Sequence, residues 1–297
     1  MAHKLSALEA RGPPEKQLNM RATTLLFHDV VPARRWESSG FQGADADVYK
    51  LDCDEFHRHL VAIRQSLRGQ PVTAPELLAG SASEAGSHVL LTFDDGGVSA
   101  VLHVADMLDE FDWKAHFLVT SGRVGTAGFL DPTQIRELRR RGHIIGSHSH
   151  SHPIRMSRCS AAELDGEWQR SVLSLAEILG EPVPVASVPG GYFSRQVARS
   201  AARAGVRLLF HSEPVVRSQT VDGCLVLGRF TVKRGHQPRR SAAIVGGNRP
   251  TRMREYCFWN AKKLAKLLLG GAWLRARVSL LERRAKNASP PGADSRN

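Results

Sequence analysis

Residue types suited to metal binding and acid–base chemistry cluster at two places in the sequence. The segment GHIIGSHSHSHP carries His148, His150 and His152, and the earlier segment TFDDG carries the adjacent carboxylates Asp94 and Asp95. One carboxylate with two imidazoles is a ligand set for a divalent ion such as Zn²⁺ that leaves positions open for water and substrate. Such an ion polarises a carbonyl and lowers the pKa of water, and a free carboxylate nearby can take up the proton.

The spacing of the histidines allows two ways of sharing one ion. On a straight strand, alternate residues point to the same side, so His148, His150 and His152 could all converge. If the chain turns after His148, residues four apart meet instead, and His150 points elsewhere. Asp94 and Asp95 likewise serve one site only from a turn, one facing a metal and its neighbour facing the substrate.

Alternating strand and helix patterns position these residues. Short apolar runs predict strands, and amphipathic runs between them predict helices. The predicted strands are 23–31, 87–93, 115–120, 143–148, 185–190, 206–212 and 224–232, and the predicted helices are 52–67, 97–111, 131–142, 160–180 and 194–205. This alternation predicts an α/β fold with a parallel sheet, open or closed into a barrel. The acids and histidines follow directly after predicted strands, where such folds carry their chemistry.

The two motifs resemble those of the polysaccharide deacetylases of the NodB-homology type, carbohydrate esterase family four. TFDDG matches the first family motif, and HSHSHP matches the second, His-[Ser/Thr]-x-x-His-Pro. The resemblance covers about residues 20–235 and implies a deformed (β/α) barrel that hydrolyses N-acetyl, or less often O-acetyl, groups on sugars. Carried across, Asp94 is the catalytic base, whereas Asp95, His148 and His152 bind the metal, expected to be zinc. The family uses the four-residue spacing, which leaves His150 as a neighbour.

The third family motif, Arg-x-Pro-[Tyr/Phe]-Gly, is altered in this chain. The corresponding residues are Ser187-Val188-Pro189-Gly190-Gly191, so the arginine that would steady the catalytic base is absent. Gly190 still offers a backbone N–H to the oxyanion of a tetrahedral intermediate. Arg229, beside the last predicted strand, is a candidate to replace the missing guanidinium.

Two further roles are assigned to histidines. The chain lacks a clear Leu-x-His motif to supply the general acid, and His211 and His236 are the candidates for it. His28 follows the first predicted strand and resembles a histidine found there in many family members. We expect His28 to line the site, with a buried structural role as the alternative.

Basic charge is concentrated at the C-terminal end. The net charge is +12, and residues 229–297 carry 17 Lys and Arg against 3 Asp and Glu. We divide the chain into an N-terminal extension (1–20), a deacetylase-like domain (21–235) and a basic helical C-terminal extension (236–297). Within the extension, Tyr256–Lys286 interleaves leucines and aromatic residues with basic residues. This pattern suggests peripheral contact with an anionic membrane. The alternative is that the leucines dock against the barrel and the basic residues are solvated.

Other observations limit the functional classes. The sequence shows no nucleic-acid-binding signature, so nucleic acid is not an expected partner. No signal peptide is recognisable at the start, and the expected location is the cytoplasm, with contact at the inner face of the membrane. The resemblance to polysaccharide deacetylases implies that the partner is a carbohydrate or glycan intermediate. The alternatives are a catalytically degenerate glycan- or membrane-binding member of the same fold and another metal-dependent amidohydrolase.

Overall fold

The computed structural model describes residues 20–80 and 88–265. The strands are β1 Ala22–Phe27, β2 Val30–Val31, β3 Leu51–Asp52, β4 His88–Phe93, β5 His116–Val119, β6 Ile144–Ser147, β7 Val185–Ser187, β8 Leu208–Phe210, β9 Gln219–Val221, β10 Cys224–Leu227 and β11 Arg229–Thr231. The helices are α1 Ala44–Asp47, α2 Cys53–Ser66, α3 Ala74–Leu78, α4 Ala105–Asp109, α5 Pro132–Arg140, α6 Ala161–Leu179, α7 Arg195–Arg203, α8 Pro238–Val245 and α9, residues 249–265. Strands and helices alternate, as the sequence predicts.

The main sheet closes into a barrel through one bent segment. Its strand order is β11-β1-β4-β5-β6-β7-β8-β10-β9, and every neighbouring pair is parallel except β10 with β9. β10 pairs with β8, whereas β11, which follows after the single residue Gly228, pairs with β1. A Cβ on Gly228 would lie 2.3 Å from the carbonyl oxygen of Glu213, so only glycine fits this bend. The predicted strand 224–232 is therefore two half-strands that join the two edges of a deformed (β/α) barrel.

The first predicted strand, 23–31, is also divided. β1 ends at Phe27, and Val30–Val31 leave the barrel to pair with Leu51–Asp52 in a separate two-stranded sheet. The polar pair His28 and Asp29 lies at the point of separation. This division puts His28 at the carboxyl end of a barrel strand.

Sequence signals at the helix ends agree with the structure. The Ser160 side chain accepts from the backbone N–H of Glu163, whose side chain caps Ser160 in return, and α6 ends at Gly180 with φ of 73°. The outer faces of the strands and the inner faces of the helices form the main core, with Trp113, Phe56 and Phe117 completely or almost completely buried. This core makes the strand ends a rigid platform.

The described part of the C-terminal segment packs on the barrel. Ile244 and Val245 of α8 belong to the main core. On α9, Arg252 donates to the carbonyl oxygen of Ile244 at 2.6 Å and to Thr23 Oγ1 at 2.7 Å. None of the helices in residues 20–80 and 88–265 is both long and apolar enough to cross a membrane.

Candidate metal centre and active site

Three predicted metal ligands meet at the carboxyl ends of β4 and β6. One carboxylate oxygen of Asp95 and one ring nitrogen each of His148 and His152 all lie within 4.8 Å of one another. Asp95 Oδ1 is 3.4 Å from His148 Nε2 and 3.5 Å from His152 Nε2. Tetrahedral ligands about 2.0–2.1 Å from a zinc ion are about 3.3–3.4 Å apart. The spacing of these donors therefore fits a shared divalent ion.

The loop after β6 turns so that residues four apart meet. Ser149 and His152 both have positive φ values, 62° and 58°, which non-glycine residues seldom adopt. The Ser149 side chain accepts from the backbone N–H of His152 at 3.1 Å. His150 points away, with Nδ1 3.0 Å from Ser121 Oγ. Backbone strain of this kind is found where the surrounding structure holds functional residues in place.

Glu167 on α6 holds this loop. Its buried carboxylate accepts from the backbone N–H groups of His150 at 3.0 Å and Ser151 at 2.8 Å, and from Ser151 Oγ at 2.8 Å. Glu167 is not among the functional residues predicted from the sequence. Its position on the inner side of an amphipathic helix could have indicated such a role, because buried acids are rare unless they are paired.

Ser187 orients His148 toward the metal position. Its Oγ lies 2.6 Å from His148 Nδ1 and 2.9 Å from Asp94 Oδ1. Because an ionised carboxylate only accepts, the Ser187 hydroxyl donates to Asp94 and accepts from Nδ1–H of His148. His148 Nε2 then carries the lone pair and faces Asp95, as a metal-binding imidazole requires. Ser187 stands where the family motif has arginine.

Arg229 supplies a guanidinium to Asp94. Its Nη1 and Nη2 donate to Asp94 Oδ1 and Oδ2, each at 2.7 Å, in a two-point pair that is almost completely buried. Nη1 also lies 3.3 Å from Thr92 Oγ1, and Nε 3.4 Å from the carbonyl oxygen of His211. Arg229 therefore reaches from β11 the carboxylate that the family's third-motif arginine would hold.

The groups around the two carboxylates favour their ionised forms. Burial alone would raise the pKa of Asp94, but Arg229 and His148 hold it well below its usual range. Burial also opposes ionisation of Asp95, and His148, His28 and His152 together lower its pKa. Burial and the neighbouring His148 lower the pKa of His152 to about 4, so its ring is neutral at pH 7. Neutral imidazole is the form that binds a metal.

A cavity of about 670 Å³ opens over these residues. Gly190 lines it with φ of 61°, a conformation suited to glycine, and Tyr192 places an aromatic ring in the wall. His28 lines it too, with its ring centroid 4.7 Å from that of Tyr49 and, among the described residues, no hydrogen-bond partner for its buried Nδ1. Burial lowers the pKa of His28, although Asp95 and Asp94 oppose that effect.

The two candidate general acids occupy different places. His211 stacks on Phe193 at 4.9 Å beside Arg229, and burial, with the charges of Arg229 and Lys263, lowers its pKa to about 3. This low pKa disfavours the protonated ring that a general acid needs. His236 lies in the loop after β11, where its carbonyl oxygen is 3.0 Å from His59 Nε2. Neither histidine belongs to the described residues that line the cavity.

Solved structures with similar folds are deacetylases or related proteins. The deacetylase PplD of Streptococcus pyogenes, in complex with acetate, superposes with a TM-score of 0.61 at 21% identity, covering 74% of this chain and 96% of that one. IcaB from Ammonifex degensii superposes with a TM-score of 0.62 at 24% identity, covering 77% and 98%. At these identities the likeness establishes the shared fold.

Sequence comparisons match the central part of the chain to known proteins. A chitin deacetylase of Colletotrichum lindemuthianum is 35% identical over 66 residues, 22% of this chain and 27% of the relative. An uncharacterized 30.6 kDa protein of Geobacillus stearothermophilus is 31% identical over 126 residues, 42% of this chain and 46% of the relative. The matches thus cover less than half the length of these relatives. The family model for polysaccharide deacetylase matches residues 82–209, which contain both the TFDDG and HSHSHP motifs. Over these residues the chain therefore matches the polysaccharide deacetylase family.

Proposed function

We propose that this protein is a metal-dependent deacetylase that hydrolyses N-acetyl groups of a carbohydrate or glycan intermediate. One observation carries the proposal: a two-point ion pair holds the base Asp94 beside the metal-type cluster of Asp95, His148 and His152 at the floor of one cavity. The altered third motif was the argument for a catalytically degenerate protein. Arg229 and Ser187 weaken that argument because together they hold Asp94 in its ionised form.

Asp95, His148 and His152 would hold the divalent ion, and the spacing of their donor atoms favours zinc. Such an ion polarises the acetyl carbonyl and lowers the pKa of water. Asp94 accepts the proton from the water molecule whose oxygen attacks the acetyl carbon. As the carbon becomes tetrahedral, the backbone N–H of Gly190 donates to its negatively charged oxygen. The C–N bond then breaks as the nitrogen takes up the proton that water lost. The products are the amine and acetic acid, which releases its proton to become acetate at neutral pH.

The test is release of acetate from a panel of N-acetylated and O-acetylated saccharides, with and without a chelator. We expect N-acetylated substrates to be hydrolysed, the chelator to stop the reaction and added zinc to restore it. Hydrolysis confined to O-acetyl groups would contradict the N-acetyl assignment. A protein that binds the metal but releases no acetate from any member of the panel would contradict the proposal and favour a glycan-binding role.

We also propose that α9 contacts an anionic membrane, at the inner face of the cell membrane. Its exposed side chains include Met253 and Phe258, each 61% exposed, and Leu264, 56% exposed. Leu267 and Leu268 of the predicted amphipathic segment lie outside the described residues. Apolar side chains on a basic helix can enter the headgroup region, and each Lys or Arg near the surface adds about 1 kcal/mol.

Co-sedimentation with vesicles tests this contact on the full-length protein. Binding should require anionic lipid, weaken with salt and decrease in the Met253→Ser/Leu264→Ser variant. Leu173 on α6 is 68% exposed on a different helix, so Leu173→Ser is the matched control and should sediment like the wild type. Equal sedimentation with neutral and anionic vesicles would overturn the proposal.

A further inference from the structure

Helix α9 forms one wall of the cavity above the metal-type cluster. Its residues Trp259, Lys262 and Lys263 line the same space as Asp94 and Asp95. The first turns of α9 are anchored away from this wall, since Arg252 donates to Thr23 and Ile244, and Glu255 pairs with Arg240 at 2.6 Å. Helix α9 therefore places two lysine side chains in the cavity wall.

Positive charge dominates the part of the cavity lining that lies outside the metal-type cluster. Six basic side chains line the cavity, and one of them, Lys50, is buried and pairs with Asp47. The other five come from α9, the loop after the second motif and the segment after β11: Arg155, Arg158, Lys233, Lys262 and Lys263. Besides Asp94 and Asp95, the lining acids are Asp29, which accepts from the hydroxyls of Ser39 and Ser99, Asp45 and Glu213. A water-filled cleft with an excess of one charge concentrates ligands of the opposite charge.

Several of these cations lie against aromatic rings. Lys263 Nζ is 5.0 Å from the ring centroid of Trp259, and Lys233 Nζ is 4.4 Å from that of Tyr49. The Arg155 guanidinium is 5.7 Å from the ring centroid of Tyr192, which also lines the cavity. An aromatic face offers apolar surface to a sugar ring, and the neighbouring cation can contact an anionic substituent on that sugar. This pairing suits a saccharide that carries its own negative charge.

We propose that the substrate is an acetylated saccharide bearing a phosphate group, which Lys262 and Lys263 bind while Trp259 packs against the sugar. The inference rests on the proposed deacetylase function and names the substrate class of the same cavity. Lysine binds phosphate as a compact point charge with rotatable donors, which suits a ligand held at the cavity wall. A nucleoside diphosphate sugar and a lipid-linked sugar phosphate share this chemistry.

The first experiment compares an N-acetylated sugar 1-phosphate with its neutral methyl glycoside. The wild type should prefer the phosphorylated sugar in kcat/KM, and Lys262→Ala/Lys263→Ala should reduce that preference by about tenfold per lysine, mainly through KM. Arg254→Ala is the matched control, because Arg254 lies on α9, is exposed and does not line the cavity. Higher ionic strength should reduce the preference in the wild type.

A second measurement separates failure of this inference from failure of the proposed function. Calorimetric titration of the full-length protein with the sugar 1-phosphate should show binding that weakens in the double-lysine variant and persists in Arg254→Ala. If no substrate is hydrolysed but this pattern holds, the deacetylase proposal fails and the anion site stands. Equal kcat/KM for both sugars, or equal effects of the double-lysine variant and Arg254→Ala, would overturn the inference.

The two sources of phosphate are then compared as substrates. A sugar nucleoside diphosphate in solution and a polyprenyl-phosphate sugar in detergent micelles each replace the sugar 1-phosphate in the same assay. The source with the larger kcat/KM, and with the larger loss in the double-lysine variant, identifies the natural class. Poor turnover of both, relative to the neutral methyl glycoside, would contradict a phosphorylated substrate.

Discussion

The buried pair between Asp94 and Arg229 allows a quantitative test of the site. Both side chains are almost inaccessible to solvent, and two hydrogen bonds of 2.7 Å join them. We consider Arg229→Met, which removes the charge from a side chain of similar length, and Asp94→Asn, which keeps the shape of the carboxylate. Each single variant leaves the opposite charge buried without its partner.

The magnitude follows from the burial of the pair. Removing one partner of a buried ion pair costs about 3–5 kcal/mol of unfolding free energy, because the remaining charge is desolvated without compensation. The double variant contains neither charge, so its loss should be much smaller than the sum of the two single losses. We expect the double variant to be about 3 kcal/mol more stable than additivity would give.

Urea unfolding of the four full-length proteins measures this coupling. The divalent ion concentration is held constant, and circular dichroism and tryptophan fluorescence should give coincident transitions. The surface pair Arg139–Glu181, with both side chains 42% exposed, is the matched control, and its coupling should stay below about 1 kcal/mol. If the losses at Asp94 and Arg229 add within about 0.5 kcal/mol, Arg229 does not hold the base and the argument from geometry is refuted.

Three further predictions concern the metal, the base and acid stability. His152→Ala should lose the bound divalent ion in metal analysis, whereas His150→Ala should retain it, and the reverse pattern would contradict the four-residue spacing. Asp94→Asn should keep the metal yet lose about 10²–10⁴-fold in acetate release; near-normal activity with the metal present would remove Asp94 as the base. Burial lowers the pKa of His116 from 6.5 to about 4, so the unfolded chain takes up a proton that the folded protein excludes. The contribution of His116 to the unfolding free energy is therefore fully present above pH 6.5. It is lost as the pH falls from 6.5 toward 4, and the loss is on the order of 3 kcal/mol. His116→Gln should make the unfolding free energy fall less steeply between pH 6.5 and 4, with the remaining slope due to other buried histidines such as His152 and His211. An unchanged slope would contradict this assignment.

Local sequence patterns predict the helices and strands and the strand ends that carry the chemistry. Capping residues such as Ser160 and Asp131 and the periodicity of apolar residues act over a few positions, so they predict α5 and α6 nearly to the residue. The acids and histidines after β4 and β6 were visible for the same reason, because parallel strands bring their carboxyl ends to one side of the fold. The four-residue pairing of His148 with His152 came from the family resemblance, since the spacing alone left His150 open as a ligand.

Contacts between distant parts of the chain depend on how the barrel closes and how the helices pack on it. Arg229 meets Asp94 only because Gly228 bends the last strand segment and closes the barrel beside β1. Glu167 holds the histidine loop only because α6 folds back over the loop that precedes it. The lysines of α9 reach the cavity because α9 packs beside elements that are distant in sequence. A local pattern states which residues are polar, but barrel closure and helix docking determine which of them meet. The metal ligands and the base could therefore be predicted from the sequence. The contacts of Arg229 and of the α9 lysines with the site depend on the closed barrel.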